Sequence, residues 1–263
     1  MPSEPRAQTI PVGDYPVRCL VGGEGPPLLF LHGAMTAGVW TAGIAALAGR
    51  YTVHLPDHPG FGPSPLPDWL VTMDDLVVHY AELLDRAGLG APLPVAGVSF
   101  GGWIAAAFAS VYPERVSRLV LIDAAGLHLP DLPPPDVFRL PPEHILPLVF
   151  HDLAKAAPLL PPAMTTDVIV QLIHDRAALA RLAWRSYLHD PRLPRRLGRV
   201  RCPSLVVWGR QDAFLAPAYA EEWTRLLPQA RVALVDDCGH DPTIEQPEAF
   251  ARHVLGFLAE EGT

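Results

Sequence analysis

Residues 93–104 of the chain, LPVAGVSFGGWI, pass from an apolar run that is typical of a buried strand to an alanine-rich stretch that is typical of a helix. A single serine, Ser99, lies at the point of change, with Gly97 two residues before it and Gly101 two residues after it. A sharp strand-to-helix turn pushes a serine hydroxyl out of the sheet and crowds the backbone, so small residues are needed on both sides. The stretch therefore predicts a nucleophile elbow, in which the Ser99 hydroxyl lies beside the positive end of a helix.

Apolar runs of strand length recur on both sides of this turn, and most of them are apolar throughout instead of alternating with polar residues. They begin near residues 17, 27, 51, 93, 117, 203 and 231. Such runs are typical of strands that are buried on both faces, as in a parallel sheet covered by helices. Helix-like stretches lie between them, at about 37–49, 73–87, 101–112, 217–227 and 247–260. This alternation predicts an α/β fold.

One long segment breaks the alternation of strands and helices. Between residues 130 and 162 the chain contains ten of its 31 prolines, with short helical patches between them. A structureless loop of that length is uncommon in a compact domain, so we expect an inserted helical subdomain. The sequence therefore predicts a core domain of residues 1–127 and 198–263 and a helical cap of residues 128–197.

The composition excludes several classes of protein. A chain of 263 residues with 49% hydrophobic and 18% charged residues buries a sizeable core, which excludes a disordered chain. A net charge of −8 argues against a surface for nucleic acid or for an anionic membrane. Cys19, Cys202 and Cys238 have no paired or ligand-like spacing, so we expect neither a disulfide framework nor a zinc site.

The same features lead to expectations about location and partners. The N-terminal stretch contains no apolar run suited to a signal peptide, and no segment has 18 uninterrupted apolar residues. We therefore expect a cytoplasmic monomer or homodimer that acts on a small-molecule substrate and binds neither nucleic acid nor membrane.

A serine hydroxyl is a good nucleophile only when a base removes its proton, and the base needs a carboxylate to orient it. His240 follows the last strand pattern and precedes the last helix, where it can reach back over the edge of the sheet. Asp212 lies just beyond the preceding strand, at the end where parallel sheets place their ligands. Asp123, after the strand before that, and the pair Asp236 and Asp237 are competing candidates for the acid.

An oxyanion hole needs two backbone N–H groups that point at one position. One is expected from Phe100, the residue after the nucleophile, and the other from Ala34, or less favourably Met35, in the loop after the strand that begins near residue 27. His32 in that loop is expected to fix it through its ring. Nothing in this set requires a metal or an organic cofactor.

Five stretches of the chain resemble the α/β-hydrolase fold with a helical cap: LLFLHGAMTAGVW, LPDHPGFGPS, VAGVSFGGWIAAAFASVYPERVSRLVLID, CPSLVVWGRQDAF and DDCGHDPTIEQPEAF. The resemblance implies a mostly parallel sheet of about eight strands flanked by helices, with the cap inserted after the sixth strand. It also implies roles for five residues: Ser99 as nucleophile, Asp212 as acid, His240 as base, and the amides of Ala34 and Phe100 as oxyanion hole.

The resemblance also narrows the chemistry. Dehalogenases and epoxide hydrolases of this fold carry an aspartate at the elbow, so Ser99 disfavours both activities. Carbon-carbon hydrolases of ring-cleavage pathways often have Gly-Asn-Ser at the elbow and a tryptophan after the catalytic histidine, whereas this chain has Val98 and Asp241.

Our interpretation is a carboxylesterase-like serine hydrolase that cleaves esters of small to medium hydrophobic acyl or aryl groups through an acyl-enzyme. The substrate pocket is expected between sheet and cap, lined by Met35, Trp40, Trp103, Phe138, Leu146, Phe150, Trp184 and Phe214. Three alternatives stay open: a carbon-carbon hydrolase of keto acids, an acyltransferase, and a ligand receptor built on a hydrolase scaffold. For the first, Arg176, Arg181 or Arg185 would bind the substrate carboxylate.

Overall fold

The computed structural model describes residues 4–185 and 187–260, so residues 1–3 and 261–263 of the predicted core and residue 186 of the predicted cap lie outside the described residues. The described part forms a sheet of eight strands. The strands are β1 Arg6–Val12, β2 Tyr15–Gly22, β3 Pro27–Leu31, β4 Thr52–Pro56, β5 Leu93–Val98, β6 Val116–Ile122, β7 Ser204–Gly209 and β8 Ala230–Val235. Their order is β1-β2-β4-β3-β5-β6-β7-β8. Strand β2 is antiparallel to both of its neighbours and the other pairs are parallel, which confirms the predicted sheet.

Helices flank this sheet and connect its strands. They are α1 Ala42–Leu47, α2 Met73–Arg86, α3 Phe100–Val111, α4 Pro142–Val149, α5 Thr166–Ala183, α6 Leu193–Leu197, α7 Ala218–Leu226, α8 Pro242–Glu245 and α9 Pro247–Leu258, with 3-10 segments at Pro113–Arg115 and Leu153–Leu159. The first predicted helix starts later than expected, because the Thr41 hydroxyl accepts a hydrogen bond from the Ile44 amide and caps α1 there. None of these helices is long and apolar enough to span a bilayer.

The core has two parts, one on each face of the sheet. In β3, Leu29 and Leu31 pack in the cluster that contains α2 and α3, whereas Leu28 and Phe30 pack in the cluster that contains α1 and α9. All four side chains are fully buried. Because successive side chains of a strand point to opposite faces, a strand covered on both sides is apolar throughout.

The sequence analysis did not identify β1. Of its seven residues only Ile10 and Val12 are buried, since β1 is an edge strand with one neighbour, the antiparallel β2. Because most of β1 is exposed, polar residues interrupt its sequence RAQTIPV, which lacks the continuous apolar run of the inner strands.

The long connection between β6 and β7 contains α4, α5 and α6. The middle of α5 is tied to the core: the Gly62 amide donates to Asp175 Oδ1 (3.0 Å), and Gln171 Nε2 donates to the Gly62 carbonyl (2.8 Å). Helix α6 packs against α3 with Leu193 and Leu197 fully buried. Helices α5 and α6 therefore both attach this connection to the core.

Candidate active site

The turn between β5 and α3 places Ser99 at the carboxyl end of the sheet in a strained conformation. Its φ and ψ are 54° and −115°, in a region that non-glycine residues rarely occupy. The backbone is crowded there, because a Cβ atom on Gly97 would overlap the Gly101 carbonyl and one on Gly101 would overlap the Leu31 carbonyl. Close backbone contacts therefore require glycine at both position 97 and position 101.

His240 lies between Ser99 and Asp212. Its Nε2 is 2.8 Å from Ser99 Oγ, and its Nδ1 is 2.7 Å from Asp212 Oδ2. Asp212 is held in place through its other oxygen, which accepts hydrogen bonds from the amides of Phe214 and Leu215, both at 2.8 Å. Since Asp212 accepts only, Nδ1 of His240 donates to it, and Nε2 is left free to accept the Ser99 proton.

Two of the competing carboxylates lie in other surroundings. Asp236 is exposed and forms an ion pair with Arg210 at 2.5 Å. Asp237 is exposed in the turn after β8, with a φ of 51°. The carboxylate in contact with His240 is that of Asp212.

The third competitor, Asp123, lies beside the Asp212–His240 pair. It is fully buried after β6, and its Oδ1 accepts a hydrogen bond from the Gly209 amide at 2.9 Å. Ligating atoms of Asp123, Asp212 and His240 all lie within 4.8 Å of one another. Burial, and next to it the charge of Asp212, raise the pKa of Asp123 well above its ordinary value, which favours the neutral acid. Because Asp212 and His240 already bond to each other, we assign these groups to hydrogen bonding and not to a metal.

The loop after β3 lies beside Ser99. A Cβ atom on Gly33 would be 3.7 Å from the Cβ of Ser99, and the Gly33 amide donates to Thr36 Oγ1 at 3.0 Å. Ala34 follows in this loop. Phe100 is the first residue of α3, and the amide of such a residue has no partner within its own helix. Phe100 therefore adjoins Ser99 in the chain, and Gly33, the residue before Ala34, lies beside Ser99 in space.

Two histidines in ring contact and a tyrosine hold this loop. His32 donates from Nδ1 to the Gly33 carbonyl (2.7 Å) and accepts at Nε2 from the His58 amide (3.0 Å). His58 donates from Nε2 to the His32 carbonyl (2.8 Å) and accepts at Nδ1 from the Tyr80 hydroxyl. Burial lowers the pKa of His32 to about 4 and that of His58 well below its ordinary value, so both rings are neutral. Neither His58 nor Tyr80 was predicted from the sequence, although His58 lies in the stretch LPDHPGFGPS.

Comparison with known proteins identifies the family of this chain. Residues 28–253 match the model of the Alpha/beta hydrolase family. The chain belongs to this family.

Two curated relatives of this α/β hydrolase have different named substrates. The 2-hydroxy-6-oxo-6-(2'-aminophenyl)hexa-2,4-dienoic acid hydrolase of Metapseudomonas resinovorans is 28% identical over 94% of this chain and 89% of its own length. The pimeloyl-[acyl-carrier protein] methyl ester esterase of Nitrosomonas europaea is 30% identical over 87% of this chain and 94% of its own length. Among solved structures, a bacterial membrane phospholipase A is similar with a TM-score of 0.81 and 26% identity, covering 97% of this chain and 86% of that one. The family resemblance inferred from the sequence is confirmed, and the relatives are hydrolases of more than one kind.

Three of the residues predicted to line the pocket of this hydrolase lie close to His240 or to the segment that bonds to its amide. The ring of Phe214 is 4.8 Å from the ring of His240 in an edge-on arrangement. Phe150 is buried and follows Val149, whose carbonyl accepts a hydrogen bond from the His240 amide at 2.6 Å. Leu146 packs in the small cluster that contains Phe150. Met35, next to Ala34, is 50% exposed.

The other four residues predicted to line the pocket make different contacts. Trp40 packs against the cluster that contains α1 and α9, next to Gly22. Trp103 is buried against Phe100, with ring centroids 6.0 Å apart. Phe138 and Trp184 contact each other at 5.0 Å, and Trp184 is 59% exposed. Trp103 therefore supports Phe100 from the core, while Phe138 and Trp184 form their own pair in the connection between β6 and β7.

Proposed function

We propose that this α/β hydrolase is a serine esterase whose catalytic residues are Ser99, His240 and Asp212. The observation that carries the proposal is the continuous hydrogen-bonded chain from Ser99 Oγ to His240 (2.8 Å) and from His240 to Asp212 (2.7 Å). A hydroxyl, an imidazole and a carboxylate in this order form the arrangement that activates serine for attack on a carbonyl carbon.

The reaction has two steps. His240 Nε2 takes the Ser99 proton while Oγ attacks the ester carbonyl, and the negative charge that develops on the carbonyl oxygen is stabilised by the amides of Phe100 and Ala34. The leaving alcohol takes the proton from His240, and an acyl-enzyme on Ser99 remains. Water then attacks the acyl group with His240 again as the base, which releases the acid and restores Ser99.

The substrate class follows from the apolar side chains near the triad. Phe214 adjoins His240, and Phe150 and Leu146 form an apolar cluster next to the residue that binds the His240 amide. These contacts favour a small to medium hydrophobic acyl or aryl group. The named activity of the Nitrosomonas europaea relative, a methyl ester esterase, supports an ester as substrate.

We also propose the division into a core of residues 1–127 and 198–263 and a cap of residues 128–197. Helices α4 and α5 lie in this insertion, which interrupts the sheet between β6 and β7. Helix α6 packs on α3 of the core and would join the two parts. The substrate would bind between them.

A carbon-carbon hydrolase is the second candidate, because the Metapseudomonas resinovorans relative is named for a dienoic keto acid. Two of the arginines considered for a substrate carboxylate are already engaged with the backbone. The Arg176 guanidinium donates to the carbonyls of Val137 (2.8 Å) and Phe138 (2.9 Å), and that of Arg181 donates to the Asp68 carbonyl. These contacts favour the ester over the keto acid.

The test is hydrolysis of p-nitrophenyl esters of increasing acyl length by the wild type, by Ser99→Ala and by Ser110→Ala. Ser110 is a matched control, since it is a buried serine of α3 whose hydroxyl donates to the Ala107 carbonyl. We expect Ser99→Ala to lower kcat by about 10⁴-fold or more and Ser110→Ala to retain activity. One aryl dienoic keto acid is included in the panel.

Two results would overturn the proposal. Ester turnover that survives in Ser99→Ala would mean that another group is the nucleophile. Cleavage of the keto acid with a kcat/KM far above that of every ester would move the assignment to carbon-carbon hydrolysis.

A further inference from the structure

The loop that carries His240 is bonded to the connection between β6 and β7 through a buried carboxylate that the mechanism above does not use. Glu245, the last residue of α8, is 1% exposed. Its Oε1 accepts a hydrogen bond from the Asp152 amide (2.9 Å), and its Oε2 accepts from the amides of Gly239 (2.6 Å) and His151 (3.3 Å). One side chain thus bonds to the residue before His240 and to two residues of the predicted cap.

The two segments are held together by further contacts around Glu245. The His240 amide donates to the Val149 carbonyl (2.6 Å), and Lys155 Nζ donates to the Glu245 carbonyl (2.5 Å). Gly239 has no room for a side chain, because a Cβ atom there would lie 2.5 Å from the Val149 oxygen and 2.8 Å from Glu245 Oε2. We call residues 149–155 and 239–245 with these bonds the histidine clamp.

A carboxylate that accepts three backbone N–H bonds in a buried place holds its partners firmly, since an amide left without an acceptor would be costly. In the histidine clamp one of these amides belongs to Gly239, the immediate neighbour of His240. The position of the His240 imidazole therefore depends on where residues 149–155 lie.

We propose that Glu245 is a positioning residue that couples the cap to His240, so that the segment 149–155 sets the distance from His240 Nε2 to Ser99 Oγ. The inference rests on the proposed function, because it assigns to His240 the role of base. In this arrangement the part of the cap next to Phe150 is a fixed wall of the site and not a lid.

The test compares Glu245→Gln with Glu248→Gln, the same change at an exposed glutamate of α9. Glutamine replaces one acceptor oxygen by an NH₂ group, so at least one of the bonded amides loses its partner. Three quantities are measured: the low-field proton resonance of His240 Nδ1, the rate at which a fluorophosphonate labels Ser99, and kcat and KM for p-nitrophenyl butyrate. Glu245→Asp is the second variant, because a shorter carboxylate keeps the charge but cannot reach Gly239 and Asp152 together.

We expect Glu245→Gln to shift the His240 resonance and to lower the labelling rate and kcat by about 10- to 100-fold, with a smaller change in KM. Glu248→Gln should match the wild type in all three. A folded Glu245→Gln protein with an unshifted resonance and the wild-type labelling rate would overturn the proposal, even if its melting temperature fell. If Glu245→Gln does not fold, the same criteria apply to Glu245→Asp.

The readouts separate this inference from the esterase proposal. Neither the resonance nor the labelling rate requires an ester to be the natural substrate. A wild type that is labelled at Ser99 but hydrolyses no ester would overturn the ester assignment and leave Glu245 to be judged by the other two measurements.

Discussion

Two buried carboxyl groups meet beside His240 and differ in their hydrogen bonds. Asp212 accepts from His240 Nδ1 and from the amides of Phe214 and Leu215, whereas Asp123 accepts from the Gly209 amide. Burial raises the pKa of Asp123 well above its ordinary value, and so favours its protonated form. The two residues therefore have different expected roles although they lie side by side.

We expect Asp123→Asn to change activity little and Asp212→Asn to reduce it strongly. An amide resembles the neutral acid at position 123, so kcat should stay within about threefold of the wild type. At position 212 the amide no longer fixes the His240 tautomer, and kcat should fall by about 10⁴-fold. Steady-state kinetics with p-nitrophenyl butyrate checks both. A loss in Asp123→Asn as large as that in Asp212→Asn would show that Asp123 is the orienting acid.

Asp123 also makes stability depend on pH. Its pKa is raised in the folded state, so above the ordinary value of 3.8 the unfolded chain releases a proton that the folded protein keeps. The free energy of unfolding therefore falls as pH rises, by about 1.4 kcal/mol per pH unit until the folded pKa is reached. Asp123→Asn removes this loss, and its melting temperature relative to the wild type should increase as the pH rises above 3.8. The exposed Asp131→Asn is the control, and an equal pH dependence in all three proteins would contradict the argument.

Sequence patterns predict the roles of some of these residues and not of others. Ser99, Asp212 and His240 each follow a strand pattern, and the carboxyl ends of parallel strands meet at one edge of the sheet. Glu245 forms a hydrogen bond with Asp152, 93 residues away in the chain, and Tyr80 forms one with His58, 22 residues away. No local sequence pattern predicts such long-range contacts, so they are seen only in the folded structure.

At the scale of single elements, the elbow depends on the close approach of α3 to β3. Gly101 lies in α3 and Gly256 in α9, and helix propensity alone would favour alanine at both. A Cβ atom on Gly101 would overlap the backbone oxygens of Leu31 and His32, whereas one on Gly256 meets nothing within 4 Å. The same substitution should therefore have opposite effects at the two positions.

We expect Gly101→Ala to lower the free energy of unfolding by about 1–3 kcal/mol or more and to slow the labelling of Ser99, since the loop that bears Ala34 must move. Gly256→Ala should raise the free energy of unfolding by about 0.5–1 kcal/mol and leave labelling unchanged. Urea unfolding and fluorophosphonate labelling measure both. A stable Gly101→Ala protein with normal labelling would refute the close-approach argument.

The strands and helices were predictable to different degrees. Inner strands such as β3 and β7 are buried on both faces and carry continuous apolar runs, so the sequence identifies them directly. Strand β1 is an exposed edge and escapes the same criterion. In the segment 128–197 prolines indicate only that helices are short, yet α5 extends over 18 residues once past the last of the clustered prolines. Its place against Gly62 depends on tertiary contacts that no periodicity encodes.

Across the whole molecule, buried histidines set the response to acid. Burial lowers the pKa of His32 and of His79 to about 4, and that of His58 well below its ordinary value of 6.5. In the unfolded chain these groups titrate near 6.5, so between pH 6.5 and 4 the unfolded state binds protons that the folded state excludes. The stability they contribute is complete above pH 6.5 and is lost as pH falls, by about 1.4 kcal/mol per histidine and pH unit.

His79 offers a test outside the proposed active site. It is 2% exposed in α2, and neither ring nitrogen has a hydrogen-bond partner among the residues that the structure describes. We expect His79→Leu to reduce the number of protons taken up on unfolding below pH 6 by about one, and so to flatten the decline in stability by roughly 3 kcal/mol between pH 6.5 and 4. Urea midpoints at several pH values measure this, with His253→Leu at an exposed position of α9 as the control. A decline as steep in His79→Leu as in the wild type would mean that His79 is charged in the folded protein, and the acid response would then have to arise at His32 and His58 alone.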